Sequence, residues 1–163
     1  MTHEDTLLAL LEEHGDAMRR IAWAYAGAAG EEEDLFQEML AQAWRSLPTF
    51  RGDSGAGTWL YRVALNTALT WKRRTSKHRI GRVAFDPSRN GSEPRSHGSP
   101  RSERAILTDF LGTLGGPDYS VLVLYMEGLS YREIADVTGL SESAVAVRIH
   151  RMKQAFTERY VER

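Results

Sequence analysis

Residues 128–156, GLSYREIADVTGLSESAVAVRIHRMKQAF, constrain the fold more than any other stretch, because they hold two complete helix starts separated by one tight turn. Ser130 and Glu133 stand at capping-box spacing, where hydroxyl and carboxylate each satisfy an orphaned backbone N–H, and Leu129 and Ile134 stand where a hydrophobic staple needs them. A first helix therefore begins at about residue 131. Gly139 can take the positive φ that ends it, and Ser141, flanked by Leu140 and Val145, can cap the next helix. A joint this short makes the pair a helix-turn-helix.

The side chains agree with that geometry. Ala135 is small where the helices must cross, and Val145, Ile149, Met152 and Phe156 recur at helical spacing as a buried stripe. The opposite face carries Ser143, Val147, His150, Arg151 and Gln154, with Arg148 and Lys153 on its flanks. It thus mixes groups for base edges with cations for phosphates. An ordinary hairpin with a solvated basic face would share some of this pattern. Two capped starts, a glycine at the turn and a small residue at the crossing together specify the DNA-binding motif.

Length and charge bound the remainder. A chain of 163 residues holds one or two small domains. With no cysteine it has neither disulfides nor thiolate metal sites. No apolar run is long enough to span a bilayer and the start, MTHEDT, is not a signal peptide, so a cytoplasmic protein without membrane insertion is expected. The net charge of −1 conceals a strong asymmetry: residues 1–45 carry −7, residues 46–104 carry +8 and residues 105–163 carry −2. An acidic front and a basic middle point to two kinds of partner, the second a nucleic acid.

In chain order, residues 6–26 form an amphipathic helix that Gly27 and Gly30 end. Glu31 to Asp34 supply the acidic first turn of a second helix, which buries some combination of Leu35, Phe36, Met39, Ala43, Trp44 and Leu47 and stops at Pro48. The loop FRGDSGAG follows, and Thr58 is the expected cap of a third helix running to Arg74. That helix crowds Trp59, Arg62, Asn66, Trp71, Lys72, Arg73 and Arg74 together, a combination that stacks on unpaired bases while holding a backbone. Trp59 and Trp71 can equally be core residues, and spacing leaves both roles open. Residues 76–104 are rich in Ser, Gly, Pro and Arg and read as a flexible basic linker. Beyond it the pattern gives a helix to about Leu114, a Gly-Gly-Pro turn and a helix over 118–126 beneath the helix-turn-helix. The fold class is all-α: two small helical domains, 1–75 and 105–163, joined by the linker 76–104.

Two segments now carry a family likeness. EEDLFQEMLAQAWRSLPTFRGDSGAGTWLYRVALNTAL, followed after the linker by LGGPDYSVLVLYMEGLSYREIADVTGLSESAVAVRIHRMKQ, resembles the bacterial RNA polymerase sigma factors of the extracytoplasmic-function group. The resemblance implies a first domain that binds core RNA polymerase and the melted minus-ten strand, and a second that reads the minus-35 duplex of promoter DNA. It assigns Asp34, Leu35, Gln37, Glu38 and Gln42 to the polymerase, and Phe50, Arg51, Asp53 and Ser54 to a loop that pockets a flipped base. It further assigns Trp59, Arg62, Asn66, Lys72, Arg73 and Arg74 to the strand, and Ala146, Val147, Arg148, His150 and Arg151 to the recognition helix. It leaves an anti-sigma protein as an open further partner and implies no metal and no cofactor.

The chain also departs from the family. Gly55, Ala56 and Gly57 replace a polar, aromatic and basic run. Leu65 and Thr70 stand where arginine and aspartate are common, and Leu124 and Ala146 where a basic residue is usual. Fewer phosphate contacts would lower promoter affinity and its salt dependence. Among rival classes, a plain transcription regulator accounts for residues 105–163 but not for the TWLYRVALN helix. An enzyme is not expected, since the five histidines are scattered and GDSGAG lacks the lysine of a nucleotide loop.

Overall fold

The computed structural model describes residues 2–27, 30–82 and 102–162. Those residues form seven α-helices and one 3-10 turn with no strand among them, so the chain is all-α. Helix α1 (His3–Ala26) starts three residues before the expected point because Thr2 and Asp5 close a capping box: the Asp5 amide donates to Thr2 Oγ1 (3.1 Å) and the Thr2 amide to Asp5 Oδ2 (2.8 Å). Helix α2 (Glu32–Ser46) has no side-chain cap, and Glu32, Glu33 and Asp34 complement its N-terminal dipole instead. A 3-10 turn at Leu47–Thr49, set by Pro48, leads into the loop before α3.

Helix α3 (Ala56–Arg82) differs from the expectation at both ends. Thr58 lies inside it rather than capping it. A Cβ at Gly57 would lie 2.7 Å from His14 Nε2, so glycine lets the first turn of α3 settle on α1 without displacing that ring. At the far end no proline or glycine interrupts residues 58–80, and the backbone stays helical through 76–82, where the linker was expected to begin. Residues 83–101, which include Phe85, lie outside the described residues.

Helix α4 (Glu103–Leu111) is capped by Ser102, whose hydroxyl accepts from the Ala105 amide at 3.2 Å. It ends at Gly112, short of the expected Leu114. Helix α5 (Gly116–Met126) begins two residues early because Pro117 is preorganised for a first turn. Helices α6 (Tyr131–Thr138) and α7 (Glu142–Tyr160) form the helix-turn-helix.

Two cores result. Helices α1, α2 and α3 pack mutually around Met18, Ile21, Leu35, Met39 and Leu60, and helices α5, α6 and α7 pack mutually around Val121, Leu124, Ile134, Val145 and Ile149. Each of these side chains is withdrawn from water, worth roughly 1.5–3 kcal/mol apiece. Helix α4 joins the second group through Phe110, edge-on to Phe156 at 5.2 Å between ring centroids. The groups also touch each other, chiefly through α3 and α6.

Three expectations change. Trp44 is 51% exposed, because Ala43 takes the buried place in the stripe that could have gone to either residue. Leu35, assigned to a partner contact, is fully buried and belongs to the core. Trp59 is also buried, its ring 5.1 Å from that of Phe50, so the tryptophan packs the loop onto the helix and is not presented to bases.

Candidate nucleic-acid and partner interfaces

The turn between α6 and α7 aims the second helix. Gly139 sits at φ 79°, and its amide donates to the Ala135 carbonyl at 2.9 Å, closing α6. Ser141 then accepts from the Ala144 amide at 3.1 Å and opens α7. At the other end of α6 the Ser130–Glu133 capping box is complete.

With both ends fixed, Val145, Ile149 and Met152 are buried, while Ser143, Val147, His150, Arg151, Lys153 and Gln154 face solvent. Val147 is 48% exposed, an apolar group suited to a thymine methyl among donors suited to purine edges. The flanking cations are already engaged. Arg148, half-buried like Ala146, donates to Asp118 of α5 at 2.5 Å, and Lys153 Nζ lies 4.8 Å over the Tyr125 ring. A hydrogen bond to Tyr125 raises the Lys153 pKa and holds its charge. Arg151 and His150 have no such partner among the described residues, so the face's uncommitted donors sit at its centre.

The basic helix α3 divides in the same way. Asn66 and Arg73 are exposed, with Arg73 turned to Thr70 Oγ1 at 3.4 Å. Arg74 pairs with Glu38 of α2. Arg62 donates to the Asp136 carbonyl of α6 at 2.8 Å, and Lys72 Nζ stands 4.6 Å from the Tyr119 ring centroid. In the preceding loop Arg51 and Asp53 are exposed, Ser54 is half-buried, and Phe50 covers Trp59. Of the departing positions, Leu65 and Leu124 are core residues.

The acidic face of α2 presents Asp34, Gln37 and Gln42 to solvent, with Gln37 donating to Glu33 at 2.9 Å and Gln42 accepting from Arg45 at 2.8 Å. Trp44, expected among the buried residues of this helix in some combination, rises exposed from it. A cleft of about 280 Å³ between α2 and α3, lined by Glu38, Gln42, Asn66 and Thr70 among others, brings residues of the partner-facing and strand-facing sets together.

An exposed helix-turn-helix face, a separate aromatic and basic helix and an acidic helix face define a two-part helical protein with the features of a nucleic-acid binder, with no helix among the described residues long and apolar enough to cross a membrane. Comparison with known proteins makes the class specific. Residues 10–78 match the family model of sigma-70 region 2, and residues 104–162 that of sigma-70 region 4. The chain is 28% identical over 157 residues to the RNA polymerase sigma factor YlaC of Bacillus subtilis, covering 94% of this chain and 91% of that one. It is 29% identical over 140 residues to the ECF RNA polymerase sigma-E factor of Escherichia coli, covering 78% and 72% respectively. Among solved structures it is similar to the sigma factor RpoE of Bartonella quintana, in a complex with the anti-sigma factor NepR, with a TM-score of 0.72, 21% identity and 98% of each chain covered. The chain belongs to the sigma-70 family, in its extracytoplasmic-function group, and so binds RNA polymerase and directs transcription from promoters.

Proposed function

We propose that residues 1–75 grip core polymerase and capture the melted minus-ten strand, while residues 105–163 read the minus-35 duplex. The observation that carries this reading is the face of α7: Val147, His150 and Arg151 stand exposed opposite Val145, Ile149 and Met152, on a helix whose start and turn are both capped. Asp34, Gln37, Glu38 and Gln42 form the polymerase contact, Leu35 serving beneath them as core. Arg51, Asp53 and Ser54 form the loop that receives a flipped base, and Arg62, Asn66, Lys72, Arg73 and Arg74 track the strand. Trp59 supports Phe50 in that loop from below.

The protein works in the cytoplasm, carries no catalysis of its own and lends specificity to the polymerase it joins. An anti-sigma protein is a further partner on this reading, since the Bartonella neighbour is seen with one. The test is capture of purified core RNA polymerase followed by run-off transcription on genomic fragments. Specific transcripts above the core-only background are expected, and their absence overturns the reading.

A further inference from the structure

Among the described residues, helix α7 leaves one large apolar side chain open to water, and that residue, Val147, stands at the centre of the polar face rather than at its edge. Ser143 lies one turn before it and His150 and Arg151 one turn after, all of them exposed. Nothing in the fold accounts for a valine there. At an open position it forms helix less readily than alanine, and an exposed isopropyl group gains nothing from burial. What valine does supply is direction, because a β-branched side chain in a helix keeps one χ1 rotamer and holds its methyl groups in place. The flanks are fixed as well, Arg148 by Asp118 at 2.5 Å and Lys153 over the Tyr125 ring at 4.8 Å. The face therefore meets a partner with donors around one rigid apolar knob.

The base edges in the major groove offer donors and acceptors at every pair but a single kind of apolar group, the methyl on C5 of thymine. A cytosine methylated at C5 carries the same group at the same edge. We propose that Val147 determines specificity by receiving the C5-methyl group of one pyrimidine in the minus-35 duplex, so that promoter choice depends on that methyl as well as on hydrogen bonds. The proposal rests on the duplex-reading role given to α7 above and names the group that one of its residues recognises. It also fixes where the methyl lies. Four residues of α-helix rise about 6 Å, close to two base steps of about 3.4 Å, so the methyl falls within about two base pairs of the base that Arg151 contacts.

The test changes the methyl and its receptor separately. The minus-35 element preferred by wild-type holoenzyme is selected from randomised duplexes, then rebuilt with each thymine in turn replaced by deoxyuridine and each cytosine by 5-methylcytosine. Affinity for every duplex is measured with wild-type holoenzyme and with Val147→Ala holoenzyme, the helicity of the variant being checked by circular dichroism. At one position the methyl is expected to be worth about fourfold in wild-type affinity, the transfer value of one buried carbon group, and less than about twofold in Val147→Ala. Thymine as the source shows as a loss with deoxyuridine, and methylated cytosine as a gain with 5-methylcytosine. That position should lie within about two base pairs of the one at which Arg151→Ala relaxes preference. If no methyl change alters wild-type affinity, or if Val147→Ala responds as strongly as wild type, the proposal is overturned while the selected element leaves the duplex reading standing. If wild type selects no minus-35 sequence at all, that reading falls and the proposal falls with it.

Discussion

Arg151→Ala and Arg148→Ala, three residues apart on one helix, should have different consequences. Arg151 is exposed at the centre of the face opposite Val145, Ile149 and Met152, with no partner among the described residues, so its donors are free for a base edge in the major groove. A bidentate base contact is worth about 1–3 kcal/mol of discrimination. At 1.4 kcal/mol per tenfold, Arg151→Ala should weaken holoenzyme binding to its preferred minus-35 element by roughly 5- to 150-fold and relax preference at one or two positions.

Arg148 is a different case. Its side chain is 33% exposed and pairs with Asp118, itself 38% exposed, at 2.5 Å, which ties α7 to α5. A partly exposed pair of this kind contributes about 0–1 kcal/mol to stability. Its removal also leaves Asp118 as an unpaired negative charge beside the DNA face, so Arg148→Ala should weaken every minus-35 sequence alike while leaving the order of preference intact. The assay is selection from randomised minus-35 elements with each mutant holoenzyme at two salt concentrations. If Arg151→Ala keeps the wild-type preference, the face has been assigned with the wrong rotation and the reasoning fails, even where promoter activity survives.

Three further outcomes follow from the first helical group. Asp34→Lys should weaken binding to core polymerase in a titration while leaving the thermal melt nearly unchanged, because an exposed charge contributes little to stability; Leu35→Ala, one residue on, should instead cost about 2–5 kcal/mol of stability in denaturant unfolding by leaving a cavity between α1, α2 and α3. Asn66→Ala should slow formation of permanganate-reactive open complex more than it weakens duplex capture, since on the proposed role of α3 the exposed amide meets bases only after they unpair. Trp59→Ala should lower stability by about 3–5 kcal/mol, read by circular dichroism, because the buried ring holds Phe50 and its loop in place; an unchanged melt would show the ring to be dispensable to the fold.

The helix-turn-helix was legible because its information is local: Ser130 and Glu133, Gly139 and Ser141 act on backbone groups three or four residues away, and periodicity then fixes which side of α7 is buried. Legibility fell where a choice depended on another element. Between Ala43 and Trp44 the stripe of α2 could not decide, because the space left by α1 and α3 admits the smaller residue there. Leu35 and Trp59 were misplaced for a related reason: likeness to a motif marks a position without saying whether the side chain itself is presented or buried beneath those that are. The contacts between the groups were invisible altogether. Arg20 and Glu127 lie 107 residues apart, and Arg62 reaches a backbone carbonyl 74 residues away, so no spacing rule joins them. The consequence bears on function. Composition identifies cations that could hold a nucleic acid, but the fold commits Arg62, Lys72, Arg74 and Arg148 to contacts of its own. On the proposed role of α3, strand binding therefore requires the contacts of Arg62, Lys72 and Arg74 to open, whereas His150 and Arg151 of α7 need no such release.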